Sequence, residues 1–103
     1  MLLYEHPLSS YAQKVKIALR EKGLAFTVET PAALGTGTAG GAFAAASPRN
    51  EVPTLIDGEA CIFDSTIILE YIEDKHPSPP LLPRDPAARA EARMIEDLCD
   101  TLY

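Results

Sequence analysis

The sequence is poor in the residue types on which several classes of protein depend. It has no Trp, two Cys, and 9 Lys or Arg against 15 Asp or Glu, so its formal net charge is -6 at pH 7. An acidic chain is not attracted to nucleic acid or anionic membranes, so neither is expected as a partner. Cys61 and Cys99 have neither C-x-x-C nor metal-ligand spacing. We expect no metal cofactor, and both cysteines are most simply small buried residues in a reducing compartment.

Long hydrophobic runs are also missing. No run approaches the roughly 20 apolar residues that a membrane-spanning helix needs. Met1 is followed directly by strand-like sequence, without the basic start and longer apolar segment of a signal peptide. We therefore expect a cytoplasmic protein. The length of 103 residues and the hydrophobic content of 47% suit one globular domain and little more.

The segment around Pro53 carries the most local information. Pro cannot donate to a central ladder, so Pro53 marks a strand start or a turn. Asp57-Gly58 separates two short apolar runs and tolerates the positive φ values of a tight hairpin turn. Asp64-Ser65 then opens a helical pattern, with Ser65 as the expected N-cap. These features predict a proline turn, a hairpin and a helix that points its N-terminus back towards the turn.

Apolar periodicity predicts a βαβ unit followed by a ββα unit. The predicted strands and helices are, in order, 2–5, 10–22, 24–29, 53–56, 60–63 and 66–75. Gly23 suits the position after the first helix. One face of that helix is expected to be buried, and it carries Tyr11, Val15, Ala18 and Leu19. Lys14 and Lys16 are expected on a solvated face.

Proline-rich sequence follows the ββα unit and predicts an extended linker. Asp85 and Pro86 then start another helix, which runs to the end of the chain. Its apolar stripe consists of Ala87, Ala90, Met94, Ile95, Leu98 and Leu102. The stripe must be buried, and the predicted ββα unit leaves part of it uncovered. Because the linker separates this helix from the units before it, we divide the chain into residues 1–76, a linker over 77–85, and residues 86–103.

Residues 35–40 match the dinucleotide-binding pattern G-x-G-x-x-G. Thr30 to Leu34 separate the match from the preceding strand, so the tight strand-to-helix turn is missing. We interpret this Ala-, Gly- and Thr-rich segment as a loop.

Three features in this order resemble the glutathione-binding half of glutathione S-transferases: Pro7 to Val15 entering a helix, Val52-Pro53 before a hairpin, and Asp64-Ser65 opening a helix. The resemblance implies an α/β, thioredoxin-like βαβ-ββα fold with a mixed four-stranded sheet. It also implies that residues 86–103 are the first helix of an all-helical domain. Glutathione would be a substrate, and the Val52-Pro53 bond would be cis, with the Val52 backbone pairing with the cysteinyl part of glutathione.

The resemblance assigns the thiol-activating role to Ser9, with Ser10 as the alternative. Ser9 could instead simply cap the helix. Because no Cys lies between residues 6 and 14, this helix start has no protein thiolate, and we do not expect disulfide exchange as the main activity. Asp64 and Ser65 would hold the γ-glutamyl end, although such a pair is also a common helix cap. Arg49 or Asn50 would serve the glycine carboxylate, which Glu51 would repel.

Two classes of function remain open. One is an enzyme that transfers glutathione to an electrophilic, apolar small molecule and works as a homodimer. The other is a non-catalytic glutathione S-transferase-like interaction module of the stringent-starvation or translation-factor type. The Ser9, Asp64 and Ser65 set favours the enzyme, and Glu51 favours the module.

Overall fold

The computed structural model describes residues 1–31 and 51–102. In chain order the elements are β1 (Leu2–Tyr4), α1 (Ser10–Glu21), β2 (Thr27–Glu29), β3 (Thr54–Asp57), β4 (Ala60–Phe63), α2 (Ser65–Lys75) and α3 (Pro86–Leu102). The main difference from the predicted bounds is the later start of β2. Leu24 and Phe26 are not strand residues and instead pack against the core.

The strands form one mixed sheet in the order β2-β1-β3-β4. β1 pairs with β2 in parallel, whereas the β1–β3 and β3–β4 pairs are antiparallel. This is the thioredoxin-like βαβ-ββα arrangement that was predicted. Gly58 lies in the β3–β4 turn with φ 60°, a value that glycine adopts without steric penalty.

The apolar core joins one face of the sheet to α1 and α2. Its fully buried members are Leu3, Val15, Leu19, Leu55, Ile68 and Ile72. Leu3 and Leu55 are register partners on neighbouring strands, so both point to the helical side. Burying a side chain of this kind stabilises the fold by about 1.5–3 kcal/mol. The core therefore fixes both helices relative to β1 and β3.

Helix α1 begins and ends as its sequence predicts. The Ser9 side chain caps it by accepting from the Ala12 N–H, and Gly23 follows its C-cap with φ 68°. The buried residues are Ala12, Val15, Ala18 and Leu19. The prediction that Tyr11 belongs to this face is wrong, because Tyr11 is 43% exposed and its hydroxyl bonds to helix α3 instead.

Helix α3 begins at a cap formed by Asp85, which accepts from the Ala88 N–H at 2.9 Å. As expected, part of its apolar stripe is uncovered, with Met94, Ile95 and Leu98 all more than half exposed. The opposite, polar side of α3 contacts α1 and α2. No helix in the described ranges is both long and apolar enough to cross a membrane.

The prediction that the cysteines are buried is wrong. Cys61 and Cys99 are both free and exposed. Cys61 lies on the edge strand β4, where alternation places its neighbour Ile62 against the core. Cys99 follows Leu98 on the uncovered side of α3. The burial expectation used residue type alone, and both positions depend on tertiary packing.

Candidate functional site

A cavity of about 330 Å³ lies where the turn before β3, the start of α2 and the C-terminal part of α3 meet. The residues that line it are Tyr11, Glu51, Val52, Pro53, Phe63, Asp64, Ser65, Thr66, Asp97, Asp100 and Thr101. The structure thus brings four of the predicted site residues together: Val52, Pro53, Asp64 and Ser65.

The turn before β3 supplies one wall of the cavity. The Val52-Pro53 peptide bond is cis, as predicted. Pro53 is buried, and the Thr54 hydroxyl donates to the Glu51 carbonyl at 3.0 Å. Val52 also packs against Tyr4 on the face of the sheet opposite α1 and α2. The turn is therefore held to the sheet on both sides of the proline.

The start of α2 supplies the next wall, and here the expected cap is wrong. Asp64, not Ser65, is the N-cap; its carboxylate accepts from the Thr66 and Ile67 N–H groups at 2.9 and 3.3 Å. Asp64 has φ 72° and ψ 123°, a combination outside the left-handed helical region that is strained for a non-glycine residue. Ser65 is the first residue of the helix and is buried. Two N–H groups at the helix start therefore bind Asp64, which leaves the Ser65 hydroxyl and N–H outside the capping contacts.

The two candidate thiol-activating residues, Ser9 and Ser10, are outside the lining of this cavity in the described structure. The Ser9 Oγ accepts from the Ala12 N–H at 3.1 Å. A hydroxyl has one hydrogen and two lone pairs, so accepting this bond leaves its hydrogen able to donate elsewhere. Tyr11, two residues further on, does line the cavity. Because the cap does not use the hydroxyl hydrogen of Ser9, capping is compatible with the thiol-activating role expected for this residue.

Helix α3 forms a wall that sequence reasoning missed. It contributes Asp97, Asp100 and Thr101, while Tyr11 and Thr66 face them from the other two helices. The Tyr11 hydroxyl donates to the Asp100 carbonyl at 2.8 Å. A signal was present in the sequence: Arg93, Glu96, Asp97 and Asp100 form a polar stripe at helical spacing, opposite the apolar stripe on which the prediction concentrated.

Lys14 holds this wall in place, so its assignment to a solvated face is wrong. Its Nζ lies 2.8 Å from the Glu96 Oε2 and 2.7 Å from the Asp100 Oδ2. The Thr66 hydroxyl donates to the same Glu96 oxygen at 3.1 Å. Burial lowers the pKa of Lys14, but the hydrogen bonds to Asp100 and Glu96 outweigh burial and raise the pKa above its ordinary value. Lys14 therefore remains a cation at neutral pH.

Lys16 is also not on a free surface. Its Nζ lies 2.6 Å from the Glu5 Oε1. This pair joins α1 to the end of β1, away from the cavity-lining residues.

The charge of the cavity is strongly acidic. Its lining includes Glu51, Asp64, Asp97 and Asp100, and the described lining residues include no Lys or Arg. Lys14, which is not a lining residue, neutralises part of the charge of Asp100 through their ion pair. A cavity of this kind favours a ligand part with a positive charge, such as a primary ammonium.

Two predicted site residues, Arg49 and Asn50, lie outside the described residues. The Ala-, Gly- and Thr-rich segment that contains the G-x-G-x-x-G match lies there too.

Comparison with known proteins gives one consistent family. Residues 3–80 match the family described as glutathione S-transferase, N-terminal domain. The glutathione S-transferase Z2 of Arabidopsis thaliana is 41% identical over 88 residues, which are 85% of this chain and 40% of that protein. A stringent starvation protein A homolog of Coxiella burnetii is 35% identical over 95 residues, or 92% of this chain and 44% of that protein.

The structural comparison agrees. A crystal structure of a glutathione S-transferase from Methylobacterium radiotolerans, in complex with glutathione sulfonate, superimposes with a TM-score of 0.84 at 39% identity. The match covers 96% of this chain and 46% of that one. The chain thus spans less than half the length of these relatives. Because the family match covers most of the chain, the chain belongs to the glutathione S-transferase family, and residues 3–80 correspond to the family's N-terminal domain.

Proposed function

We propose that the protein is a glutathione transferase, which activates the thiol of glutathione for attack on an electrophilic, apolar small molecule. The observation that carries the proposal is the cavity in which Val52, Pro53, Asp64 and Ser65 converge. It occurs in a fold similar to that of a relative in complex with glutathione sulfonate. Glutathione is the substrate, and the proposed reaction requires no metal.

Each part of glutathione has a proposed partner. The Val52 backbone pairs with the cysteinyl unit, and the Asp64 carboxylate accepts from the α-ammonium of the γ-glutamyl end. The hydroxyl and N–H of Ser65 bind the α-carboxylate. Arg49 or Asn50 serves the glycine carboxylate, which Glu51 would repel.

Ser9 is the proposed catalytic residue, with Ser10 as the alternative. The thiolate is the nucleophile, and lowering a thiol pKa from ~8.5 to ~6.5 requires about 2.7 kcal/mol. A hydrogen bond to a charged group supplies about 1.5–3 kcal/mol, and the N-terminus of α1 adds up to about 1 kcal/mol. These terms suffice without a separate general base.

The best test of the binding part is Asp64→Asn. Asn can keep both the capping acceptor and the positive φ of Asp64, so the fold is retained while the negative charge is lost. We expect glutathione affinity to fall about 10-fold, the equivalent of one charge-assisted hydrogen bond. Calorimetry measures this, with N-acetyl-cysteinylglycine as the control ligand because it lacks the γ-glutamyl ammonium and carboxylate.

Three results would contradict this assignment. One is unchanged glutathione affinity in both Asp64→Asn and Ser65→Ala, which would reduce the pair to a structural role. Another is an equal loss of affinity for the control ligand. The third is a wild-type protein that fails to bind glutathione at all.

A non-catalytic interaction module is the second candidate. The similarity to a stringent starvation protein A homolog favours it, and so does Glu51 in the cavity lining, because Glu51 would repel the glycine carboxylate of glutathione. Retention on immobilised glutathione separates the two candidates, because an enzyme must be retained and a module that binds only protein has no such requirement.

We further propose that residues 1–76 are the glutathione-binding domain, residues 77–85 a linker, and residues 86–103 the start of an all-helical domain in a longer cytoplasmic polypeptide that forms homodimers. The exposed stripe of Met94, Ile95 and Leu98 supports this, since a further helical layer or a partner would cover it. Sedimentation and turnover of residues 1–103 alone test it. A monomeric and fully active fragment would contradict the proposal.

A further inference from the structure

The side chain of Lys22 is completely buried at the C-terminal end of α1. Its ammonium has three hydrogens and three acceptors: the Glu73 Oε1 at 2.6 Å, the His76 carbonyl at 2.6 Å and the Pro79 carbonyl at 2.7 Å. Two of these three acceptors belong to the backbone that connects α2 to α3. Lys22 therefore binds the connection as well as its ionic partner.

Glu73, on α2, contacts the same connection. It accepts from the Leu82 N–H at 2.8 Å and from the Leu81 N–H at 3.1 Å. Burial raises the pKa of Glu73, but hydrogen bonds from Lys22, Leu82 and Leu81 outweigh burial and lower the pKa below its ordinary value. The Glu73 carboxylate therefore stays ionised at neutral pH.

The pattern of partners indicates what the pair does. An ion pair that only joined α1 to α2 would need one contact between its charged groups. Here four backbone groups of residues 76–82 bind to Lys22 and Glu73. The sequence from Leu82 to α3 is only three residues long, so fixing Leu82 restricts where α3 can begin.

We propose that Lys22 and Glu73 are positioning residues for the cavity: they fix the connection over residues 76–82 and thereby place α3, which contributes Asp97, Asp100 and Thr101 to the lining. The placement of α3 is independent of the ligand. Only its effect on glutathione binding rests on the proposed function.

Lys22→Met is the direct test, measured by amide hydrogen exchange in the intact protein. Exchange at Leu81 and Leu82 reports the connection, exchange at Asp97 and Asp100 reports α3, and exchange at Leu55 reports the core. We expect exchange in the connection and in α3 to accelerate at least about 10-fold more than exchange at Leu55. A uniform acceleration that includes Leu55 would overturn the proposal, because it would show a general loss of stability.

Lys16→Met is the matched control. Lys16 is another lysine of α1 and pairs with a largely buried carboxylate, Glu5, but it makes no contact with the connection. We expect it to leave the exchange of Leu81 and Leu82 relative to Leu55 as in the wild type. If Lys16→Met loosens the connection as much as Lys22→Met does, the proposal fails.

Two further measurements make the result decisive. Should Lys22→Met not fold, Glu73→Gln keeps the size of the side chain and gives the same comparison. Glutathione titration should show several-fold weaker binding in Lys22→Met and unchanged binding in Lys16→Met. If the wild type does not bind glutathione, the proposed function fails, while the exchange data still decide whether Lys22 places α3. A loosened connection with unaltered α3 exchange would overturn the positioning role.

Discussion

Helices α1 and α2 are held to the sheet by a different kind of contact from the one that holds α3. α1 and α2 share an apolar cluster with β1 and β3, in which the core side chains are fully buried. α3 instead presents its polar side, through pairs such as Lys14 with Glu96 and Arg93 with Glu70, and leaves Met94 and Leu98 outside. The cavity has walls of both kinds: the turn before β3 and the start of α2 belong to the apolar part, and α3 to the polar part.

This difference predicts different responses to solution conditions. Burial of apolar surface is insensitive to moderate changes in simple salt, whereas partly exposed charge pairs weaken as the Debye length falls from about 8 Å at physiological ionic strength to about 3 Å at 1 M. The walls made by the turn and by α2 should therefore remain in place under conditions that loosen the α3 wall.

Loss of the apolar core should have the largest effect. Leu55 is fully buried in the central strand β3, and Leu55→Ala removes its contacts with both helices. We expect the free energy of unfolding to fall by about 2–5 kcal/mol. Urea denaturation measures it, and the loss should be the same at low and high NaCl.

Met94→Ala is the control for this change. Met94 is 61% exposed, so the substitution should alter the free energy of unfolding by less than about 0.5 kcal/mol. A loss comparable to that of Leu55→Ala would show that α3 is part of the same apolar core as α1 and α2, and would contradict the difference in packing described above.

The next largest effect concerns the start of α1, which belongs to the apolar part of the fold. Ser9→Ala should lower turnover about 10- to 150-fold, because a thiolate loses a hydrogen bond of about 1.5–3 kcal/mol. The apparent thiol pKa should rise, while glutathione affinity changes much less. Steady-state kinetics with an aryl halide, combined with thiolate absorbance, measure both quantities.

Two matched variants separate catalysis from capping. Ser9→Thr keeps a hydroxyl and the cap, so activity should survive. Ser9→Asp keeps a capping acceptor without the hydroxyl donor, so activity should fall although α1 remains capped. Full turnover in Ser9→Ala together with a loss in Ser10→Ala would assign the role to Ser10.

What the sequence could predict depends on how local the cause is. The hairpin at Asp57-Gly58, the Gly23 helix end and the cap at Asp85 follow from backbone preferences of neighbouring residues, and all were predicted. The Asp64 cap was missed by one residue. Asp and Ser are equally good caps, and the sequence does not reveal that position 64 has positive φ.

The remaining errors share a tertiary cause. Tyr11 and Lys14 were assigned from the face of α1 alone, but both contact α3, whose docking brings Asp100 next to them. The linker gave no indication of that docking, because Lys22 is 54 and 57 residues away from His76 and Pro79, whose carbonyls it binds. The cavity wall made by α3 was missed for the same reason. The walls that follow from local sequence were predicted.

Lys14→Met tests the polar attachment of α3 and should have a smaller effect than the core change. Lys14 is 23% exposed and pairs with two carboxylates, so we expect a loss of about 1 kcal/mol, the upper end for solvent-accessible pairs. The difference between Lys14→Met and wild type, measured by urea denaturation, should shrink in 1 M NaCl. A difference that does not depend on salt would mean that packing of the lysine stem dominates.

The smallest expected effect is at the β3–β4 turn, where an ion pair joins β3 to α2. Asp57 accepts hydrogen bonds from Lys75 and from the Tyr71 hydroxyl, and these bonds lower its pKa below the ordinary value. A carboxyl with a lowered folded pKa stabilises the fold above its unfolded pKa of ~3.9, and this contribution is lost as the pH falls through the folded pKa. Asp57→Asn should therefore be slightly less stable than wild type at neutral pH, by a few tenths of a kcal/mol. The difference should vanish in acid. Tyr71→Phe removes one of the two hydrogen bonds and should reduce the difference between wild type and Asp57→Asn only in part.

Thermal unfolding followed by circular dichroism between about pH 7 and pH 2 measures whether the stabilities of wild type and Asp57→Asn converge in acid. Curves for wild type and Asp57→Asn that stay parallel to the lowest pH would show that the contacts of Asp57 do not depend on its charge.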